Sequence, residues 1–175
     1  MRRRNLLAQD GGTAAAEMAM VLPFLLVLMF GSAELGNYFL DEHGLVKQVR
    51  DGARYGARLP LEANYTCPAG TVSAGAQTLI TNVVQTGTTD RSQNGRFSDG
   101  YWARNCGGGG APTLTITVRC VDKDDYSGIY SSLVGDIPVV KVSAAISYRS
   151  ILDTLGLPTA NLCLRAESEA PVIGS

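Results

Sequence analysis

The chain has 175 residues, which suits one modest domain together with a short additional segment. Its 15 basic and 16 acidic side chains give a formal net charge of −1, so the overall charge does not indicate a nucleic-acid-binding protein. The hydrophobic residues are unevenly spread, with a dense block over residues 14–33 and a more polar remainder. This distribution argues against a soluble cytoplasmic enzyme and indicates an exported protein held by one N-terminal helix.

A basic cluster precedes the hydrophobic block. Three arginines occupy positions 2–4, and the 21 residues of 13–33 carry a single charge, at Glu17. A helix of this length crosses the hydrocarbon core of a bilayer. Under the positive-inside rule, the arginines keep the N-terminus in the cytoplasm and the rest of the chain is exported. We therefore predict a cytoplasmic basic leader over residues 1–12 and a single transmembrane helix over 13–33 in the inner membrane.

Glu17 needs a partner, because a carboxylate inside an apolar membrane helix costs on the order of a few kcal/mol unless it is paired. If the chain is cut after Gly12, Thr13 becomes the first residue and Glu17 the fifth. The carboxylate then meets a free α-ammonium group, either its own or that of a neighbouring subunit. Burial in hydrocarbon strengthens such a pair.

These residues carry a resemblance to a known family. Gly12, followed by four residues and Glu17 at the start of a hydrophobic helix, resembles the processing site of type IV prepilins. The longer stretch 11–58 resembles the TadE-like proteins of tight-adherence (Flp-type) pilus systems. The matching segments are Ala14-Ala15-Ala16-Glu17, Val21-Leu22-Pro23, Phe30-Gly31 with Glu34-Leu35-Gly36, and Arg50-Asp51-Gly52-Ala53-Arg54-Tyr55-Gly56-Ala57-Arg58.

The resemblance implies a structural protein, not an enzyme. Such a protein is a membrane-anchored minor pilin or pseudopilin that acts in assembly of a tight-adherence pilus or a related secretion apparatus. It implies processing between Gly12 and Thr13 by a prepilin peptidase, and a role for Glu17 in setting the register of assembled helices. The implied partners are the membrane, other pilins or pseudopilins, the peptidase and the inner-membrane assembly platform. We expect no nucleic acid, small-molecule substrate, cofactor, metal or catalytic residue.

The alternative is a secreted or surface binding module with a cleaved signal peptide. The basic and apolar regions of a signal peptide are present, and Gly31-Ser32-Ala33 offers small residues at a cleavage site. However, the apolar stretch is long for a signal peptide and contains Glu17, and the pattern after it continues as a helix. These features favour a retained anchor.

The helical pattern continues beyond the apolar block, through residues 34–59, with charges interleaved. The apolar positions at helical spacing are Leu35, Tyr38, Phe39, Val46, Val49 and Ala53. We therefore predict one long helix over about 13–58, with its first half in lipid and its second half outside. The small pairs Gly52-Ala53 and Gly56-Ala57 form a face that packs either on the protein's own C-terminal domain or on another subunit.

Residues 60–175 are predicted to form an exported, disulfide-containing α+β domain. A loop over 60–70 precedes an amphipathic helix over 72–85, and residues 86–112 form a long irregular segment. Three segments then alternate apolar and polar residues with a period of two: 113–120, 139–149 and 162–172. The expected fold is α+β, with the long N-terminal helix, a short second helix and an antiparallel sheet of about three strands.

The four cysteines all follow the hydrophobic block, and no two are close in sequence. This pattern indicates two disulfides made in an oxidising compartment. The cysteines are Cys67, Cys106, Cys120 and Cys163. Pairing Cys67 with Cys106 and Cys120 with Cys163 is preferred because each pair is compact in sequence, but spacing does not settle the question. Strand parity opposes the second pair, since Cys120 lies on the apolar face of its strand and Cys163 on the polar face of its own.

Overall fold

The computed structural model describes residues 11–97, 99–103, 106, 113–125, 128, 135–156 and 162–173. The predicted α+β fold is confirmed. The elements are α1 (Gly11–Gly56), α2 (Leu61–Asn64), β1 (Tyr65–Thr66), β2 (Thr71–Val72), α3 (Ala74–Thr86), α4 (Asp99–Trp102), β3 (Leu114–Val121), β4 (Ile137–Ser147) and β5 (Cys163–Pro171). Residues 1–10 of the predicted leader lie outside the described residues.

The long helix α1 agrees with the prediction of a single element over about 13–58. Its 46 residues, at 1.5 Å each, give a rod about 69 Å long. Every side chain over residues 12–33 is exposed, whereas the part of α1 beyond residue 33 packs on the rest of the protein. The two parts of one continuous helix therefore have entirely different surroundings.

The main sheet is an antiparallel meander in the order β3-β4-β5. The three predicted strands are confirmed, with ends shifted by one or two residues. The central strand β4 has an alternating pattern, so its inward positions are buried: Val140, Val142, Ala144 and Ile146. On the outer face Lys141 pairs with Glu167, at 3.0 Å, and with Glu169, at 3.7 Å. One face of the sheet is therefore buried and the other is exposed to solvent, as expected for an apolar–polar alternation with a period of two.

The core lies between the second part of α1, the helix α3 and the inner face of the sheet. Its largest buried side chains include Leu45 and Val49 of α1, and Ile80 of α3. Helix α3 begins where the Ser73 hydroxyl accepts the N–H of Ala76, at 3.1 Å. It ends at Gly87, whose φ of 79° is left-handed and closes the last turn.

The segment predicted as a loop over 60–70 contains regular structure instead. It holds α2 and β1, and β1 forms a short hairpin with β2, which follows directly, so that Tyr65 pairs with Val72. Tyr65 is buried, and its hydroxyl donates to the carbonyl of Gly56, at 2.6 Å. Burial raises the pKa of Tyr65 to about 12, so the phenol stays protonated. The hairpin is thereby attached to the end of α1, a contact that local periodicity does not reveal.

All four cysteines form disulfides, but the preferred pairing is wrong. The bonds join Cys67 to Cys120 and Cys106 to Cys163, with Cα–Cα distances of 5.8 and 5.6 Å. Cys120 lies opposite Pro138 at one end of β4, and Cys163 lies opposite Ser147 at the other end. Nine residues of extended strand separate these ends by about 30 Å. Cys120 and Cys163 are therefore far beyond disulfide reach, and each bonds to a segment at its own end of the sheet.

Candidate functional site

The exposed part of α1 is the most unusual surface of the protein. Among the described residues, α1 is the one helix that is long and apolar enough to cross a membrane, by length and composition. The structure places Gly12, Thr13 and Glu17 in its first two turns, and all three are exposed. Phe24 and Val27 are 73% and 70% exposed, although both are apolar. Exposure of a continuous apolar surface of this size to water is unfavourable, so we expect this surface to be buried against lipid or another protein.

The small residues at the end of α1 face the interior of the domain. Gly52, Ala53, Gly56 and Ala57 are all buried. A Cβ atom on Gly52 would overlap a methyl group of Val84, and one on Gly56 would lie 2.9 Å from Cδ1 of Ile80. Small side chains are therefore needed here so that α3 can approach the backbone of α1. The structure places this face against the protein's own domain, the first of the two alternatives.

Glu34 lies at the point where α1 changes its surroundings. Its Oε2 accepts the backbone N–H of Ile151, at 3.0 Å, and of Leu152, at 3.4 Å. Burial alone would raise the pKa of Glu34, but hydrogen bonds from Ser150, Tyr148 and these two N–H groups outweigh it, and the pKa is lowered. Glu34 thus joins α1, as a charged carboxylate, to the turn that follows β4.

Two further polar contacts reinforce this junction. Asn37 Nδ2 donates to the hydroxyl of Tyr148, at 2.8 Å, and that hydroxyl donates to the carbonyl of Glu34, at 3.4 Å. The hydroxyl of Tyr38 donates to the carbonyl of Cys163, at 3.4 Å, and its ring meets the Tyr148 ring edge-on, with centroids 5.2 Å apart. The junction therefore binds the ends of β4 and β5 to the first turns of the packed part of α1.

One turn further along, Asp41 forms an ion pair with Arg96. Nη2 of Arg96 lies 2.8 Å from Oδ1 of Asp41, whose side chain is 12% exposed. The side chain of Arg96 crosses α1 at Gly44, where a Cβ atom would lie 2.6 Å from Cδ of Arg96. Gly44 thus leaves space for an arginine that fastens the segment after α3 to the long helix.

Residues 12–54 match the family model of the TadE-like proteins. The match begins at the predicted processing glycine and ends two residues before the end of α1. The resemblance inferred from the sequence motifs is therefore confirmed over this helix. No curated protein and no protein of known structure matches the chain significantly.

The TadE-like segment contains Glu17, Glu34, Asp41 and Gly52, whereas the partners of the last three lie outside it. The family match therefore covers the exposed apolar half of α1 and the residues of its packed half that take part in these contacts. The structural contacts of Glu34 and Asp41 were missed by the sequence reasoning. A usable signal was present, since Glu34 and Asp41 precede Leu45 by 11 and 4 residues, spacings that place both carboxylates on its buried face of the helix.

The predicted apolar stripe of α1 was partly misplaced. Val49 and Ala53 are buried, but Leu35 and Phe39 are 55% and 48% exposed. The face that packs on the domain includes the predicted Tyr38 but also runs through Glu34, Asp41 and Leu45. The prediction counted only apolar positions, whereas near the junction hydrogen bonds and an ion pair replace apolar packing.

Proposed function

We propose that this protein is a membrane-anchored TadE-like minor pilin or pseudopilin with a structural role in assembling a tight-adherence pilus or a related secretion apparatus. The observation that carries the proposal is the bare apolar half of α1, 22 exposed positions over residues 12–33 that continue directly into a packed half. The family match over residues 12–54 supports it independently.

In this proposal residues 13–33 span the inner membrane once, with the N-terminus in the cytoplasm and the domain outside. Apart from the first turn and the bond that Pro23 removes, the backbone hydrogen bonds of this half of α1 are internal, so the helix is compatible with lipid. Two disulfides suit an extracytoplasmic location, because such bonds persist in oxidising compartments.

Processing by a prepilin peptidase between Gly12 and Thr13 gives Glu17 a specific role. Four residues of helix place Glu17 about 6 Å along the axis from Thr13. Within hydrocarbon the carboxylate requires a cation, and the new α-ammonium group of Thr13, in the same or a neighbouring subunit, supplies one. Pairing between neighbours defines how far one helix is displaced along another, which is the register of the assembly.

The packed half of α1 transmits this register to the domain. Glu34 and Asp41 bind it to two separate segments, and Gly52 and Gly56 allow close contact with α3 and β4. A subunit that packs by its helix therefore carries its domain in a defined orientation. The expected partners are other pilins or pseudopilins and the inner-membrane assembly platform.

The first test is the N-terminal sequence of the mature protein, isolated from membranes of its host. We expect it to begin at Thr13. A start near Glu34 would instead indicate a secreted module and overturn the proposed anchor. An intact Met1 would retain the anchor and remove the processing step, together with the role proposed for the α-ammonium group.

The second test is Glu17→Ala, compared with Asp51→Ala, a change at an exposed carboxylate on the packed half of the same helix. We expect the Glu17 variant to enter the membrane normally and to lose incorporation into the assembly, measured by pilus number or by co-purification with partner subunits. The Asp51 variant should behave as the wild type. Normal assembly of the Glu17 variant would contradict the register role.

A further inference from the structure

The exposed apolar surface does not end with the anchor. Beyond residue 33, six large hydrophobic side chains of the described residues are about half exposed or more: Leu35, Phe39, Leu40, Ile151, Leu162 and Ile173. Five of these six lie at the end of the domain next to the anchor. The sixth, Ile173, lies at the opposite end, where its N–H donates to the carbonyl of Ala57, at 2.8 Å.

We propose that Leu35, Phe39, Ile151 and Leu162 form an apolar collar by which the domain contacts the lipid headgroup region around its own anchor. The inference rests on the proposed membrane anchor and adds a second contact between this protein and the bilayer. In this arrangement the domain lies against the membrane surface in one orientation and does not hang freely from a helix.

The helix geometry places the first two collar residues at the right depth. Leu35 and Phe39 lie about 3 and 9 Å along the axis beyond residue 33. The polar layer on each side of the hydrocarbon core is about 5 to 7 Å thick. Side chains of a helix point back toward its N-terminus, so Phe39 covers the turn below its own Cα and extends into this layer.

The junction contacts bring the other two residues to the same depth. The N–H of Ile151 donates to the carboxylate of Glu34, at 3.0 Å, which fixes Ile151 beside the first turn after the span. The carbonyl of Leu162 accepts the N–H of Tyr148, at 2.8 Å, and Tyr148 also bonds to Glu34. Segments more than 110 residues distant in sequence from Glu34 therefore meet it at the membrane exit.

The chemistry of the collar favours lipid as its occupant. The collar continues the apolar surface of the anchor, because Leu35 and Phe39 follow the last fully exposed positions of that surface along α1. Arg149 and Asp153 flank Ile151 in sequence with opposite charges. Because these charges are opposite, they give no net attraction to anionic lipid. We therefore expect the contact to depend on the apolar side chains, and neither on anionic lipid nor on salt.

Single-tryptophan reporters in the full-length protein test this contact. Trp102 is the one tryptophan of the chain, so Trp102→Phe provides the background. The reporters are Ile151→Trp in the collar, Ile173→Trp at the opposite end as the matched control, and Leu25→Trp within the anchor. Each protein is placed in phosphatidylcholine vesicles that carry a spin-label quencher either near the headgroup or near the chain ends.

We expect the deep label to quench the Leu25→Trp reporter and the shallow label to quench the Ile151→Trp reporter, while the Ile173→Trp control remains unquenched at low and high salt. Equal quenching at positions 151 and 173 would overturn the collar while leaving the anchor intact. An unquenched Leu25→Trp reporter would overturn the proposed anchor itself. Loss of quenching at position 151 in high salt would overturn the apolar contact.

A second collar reporter, on α1, controls for the possibility that Ile151→Trp disturbs the turn after β4. Phe39→Trp exchanges one exposed aromatic for another on α1 and is expected to show the same shallow quenching. Correct folding of each variant is checked by peptide mapping of the Cys67–Cys120 and Cys106–Cys163 bonds. If both collar reporters are shielded from aqueous acrylamide without lipid quenching, a protein occupant such as a second copy covers the collar, and the lipid contact is wrong.

Discussion

The two halves of α1 share one backbone and differ in what covers their side chains. Residues 12–33 are exposed throughout, whereas Leu45, Val49 and Ala53 of the second half are completely buried by the domain. A helix satisfies its own hydrogen bonds, so its backbone tolerates lipid, protein or water equally. Helix formation along α1 therefore depends on local sequence. What each half contacts depends on the rest of the molecule and its environment, since the domain covers only the second half. Changes in one half should therefore leave the other half intact.

The largest effect is expected for Leu25→Arg combined with Val27→Arg. Each arginine near the centre of a membrane helix costs about 3 kcal/mol, so membrane integration should be lost. The stability of the disulfide-bonded domain should not change, because neither side chain contacts it. Membrane fractionation and chemical denaturation measure the two properties, and Leu25→Ala with Val27→Ala is the control that should remain integrated. Loss of domain stability would contradict the independence of the two halves.

Removal of one disulfide should give the opposite result. Replacing Cys67 and Cys120 together by Ala opens a loop with a sequence separation of 53 residues. Loop closure of this size contributes about 4 kcal/mol to stability. We expect that loss in the free energy of unfolding, with membrane integration unchanged. An equal free energy of unfolding for the wild type and the double variant would show that the bond does not constrain the domain.

A smaller loss is expected for Gly52→Val in the packed half. The added side chain would overlap Val84, and overpacking of this kind typically costs about 1–3 kcal/mol. The control is Gly36→Ala on the same helix, where a Cβ atom has no neighbour within 4 Å. That change should stabilise the helix by about 0.5–1 kcal/mol. Chemical denaturation in detergent measures both, and equal effects of the two changes would contradict the packing at Gly52.

Loss of the Asp41–Arg96 ion pair should cost less again. Arg96 is 47% exposed, so solvent screens the pair, and Asp41→Ala should lower stability by about 1–2 kcal/mol. The exposed pair of Arg91 and Asp99 provides the comparison. Asp99→Ala should change stability by less than about 0.5 kcal/mol. If Asp41→Ala and Asp99→Ala lower the free energy of unfolding equally, the Asp41–Arg96 pair contributes no more to stability than an exposed ion pair.

The smallest effect is expected for Glu34→Gln, and it should depend on pH. Folding lowers the pKa of Glu34 below its ordinary value of 4.5, so its stabilising effect is complete above that pH and is lost as the pH falls through the folded pKa. At neutral pH the variant should be less stable by about 1 kcal/mol, since a charged acceptor is lost. The difference in unfolding free energy should shrink as the pH falls below 4.5. A difference that does not change with pH would contradict the stabilising role of the charged Glu34 carboxylate.

Local patterns were sufficient to predict the long helix α1, the helix α3 and the three strands of the main sheet. The period of two predicted β3, β4 and β5, and the apolar block predicted the exposed half of α1, because these signals lie within short segments. The same reasoning missed the hairpin of β1 and β2. It is held by contacts with other elements, namely the bond from Tyr65 to Gly56 and the Cys67–Cys120 disulfide.

The sequence predicted the motif residues of the candidate site but not the distant residues that contact α1. The exposed positions Gly12, Thr13 and Glu17 came from a motif contained in a few residues, and their roles remain predictions. The partners Ile151 and Arg96 were not predicted, since each lies more than 50 residues from its carboxylate on α1. The preferred disulfide pairing failed for a related reason. It assumed that closeness in sequence implies closeness in space, whereas the antiparallel sheet separates Cys120 from Cys163.

The sequence by itself determined that this protein has a long helix with an apolar first half, a second helix and three alternating strands. These properties follow from side-chain periodicity, which acts over a few residues. Only the tertiary structure decided which face of residues 34–56 is buried, how the cysteines pair and which side chains surround Glu34, where α1 changes from exposed to packed. Those outcomes depend on the order and direction of β3, β4 and β5, because that topology brings distant segments to the same end of α1.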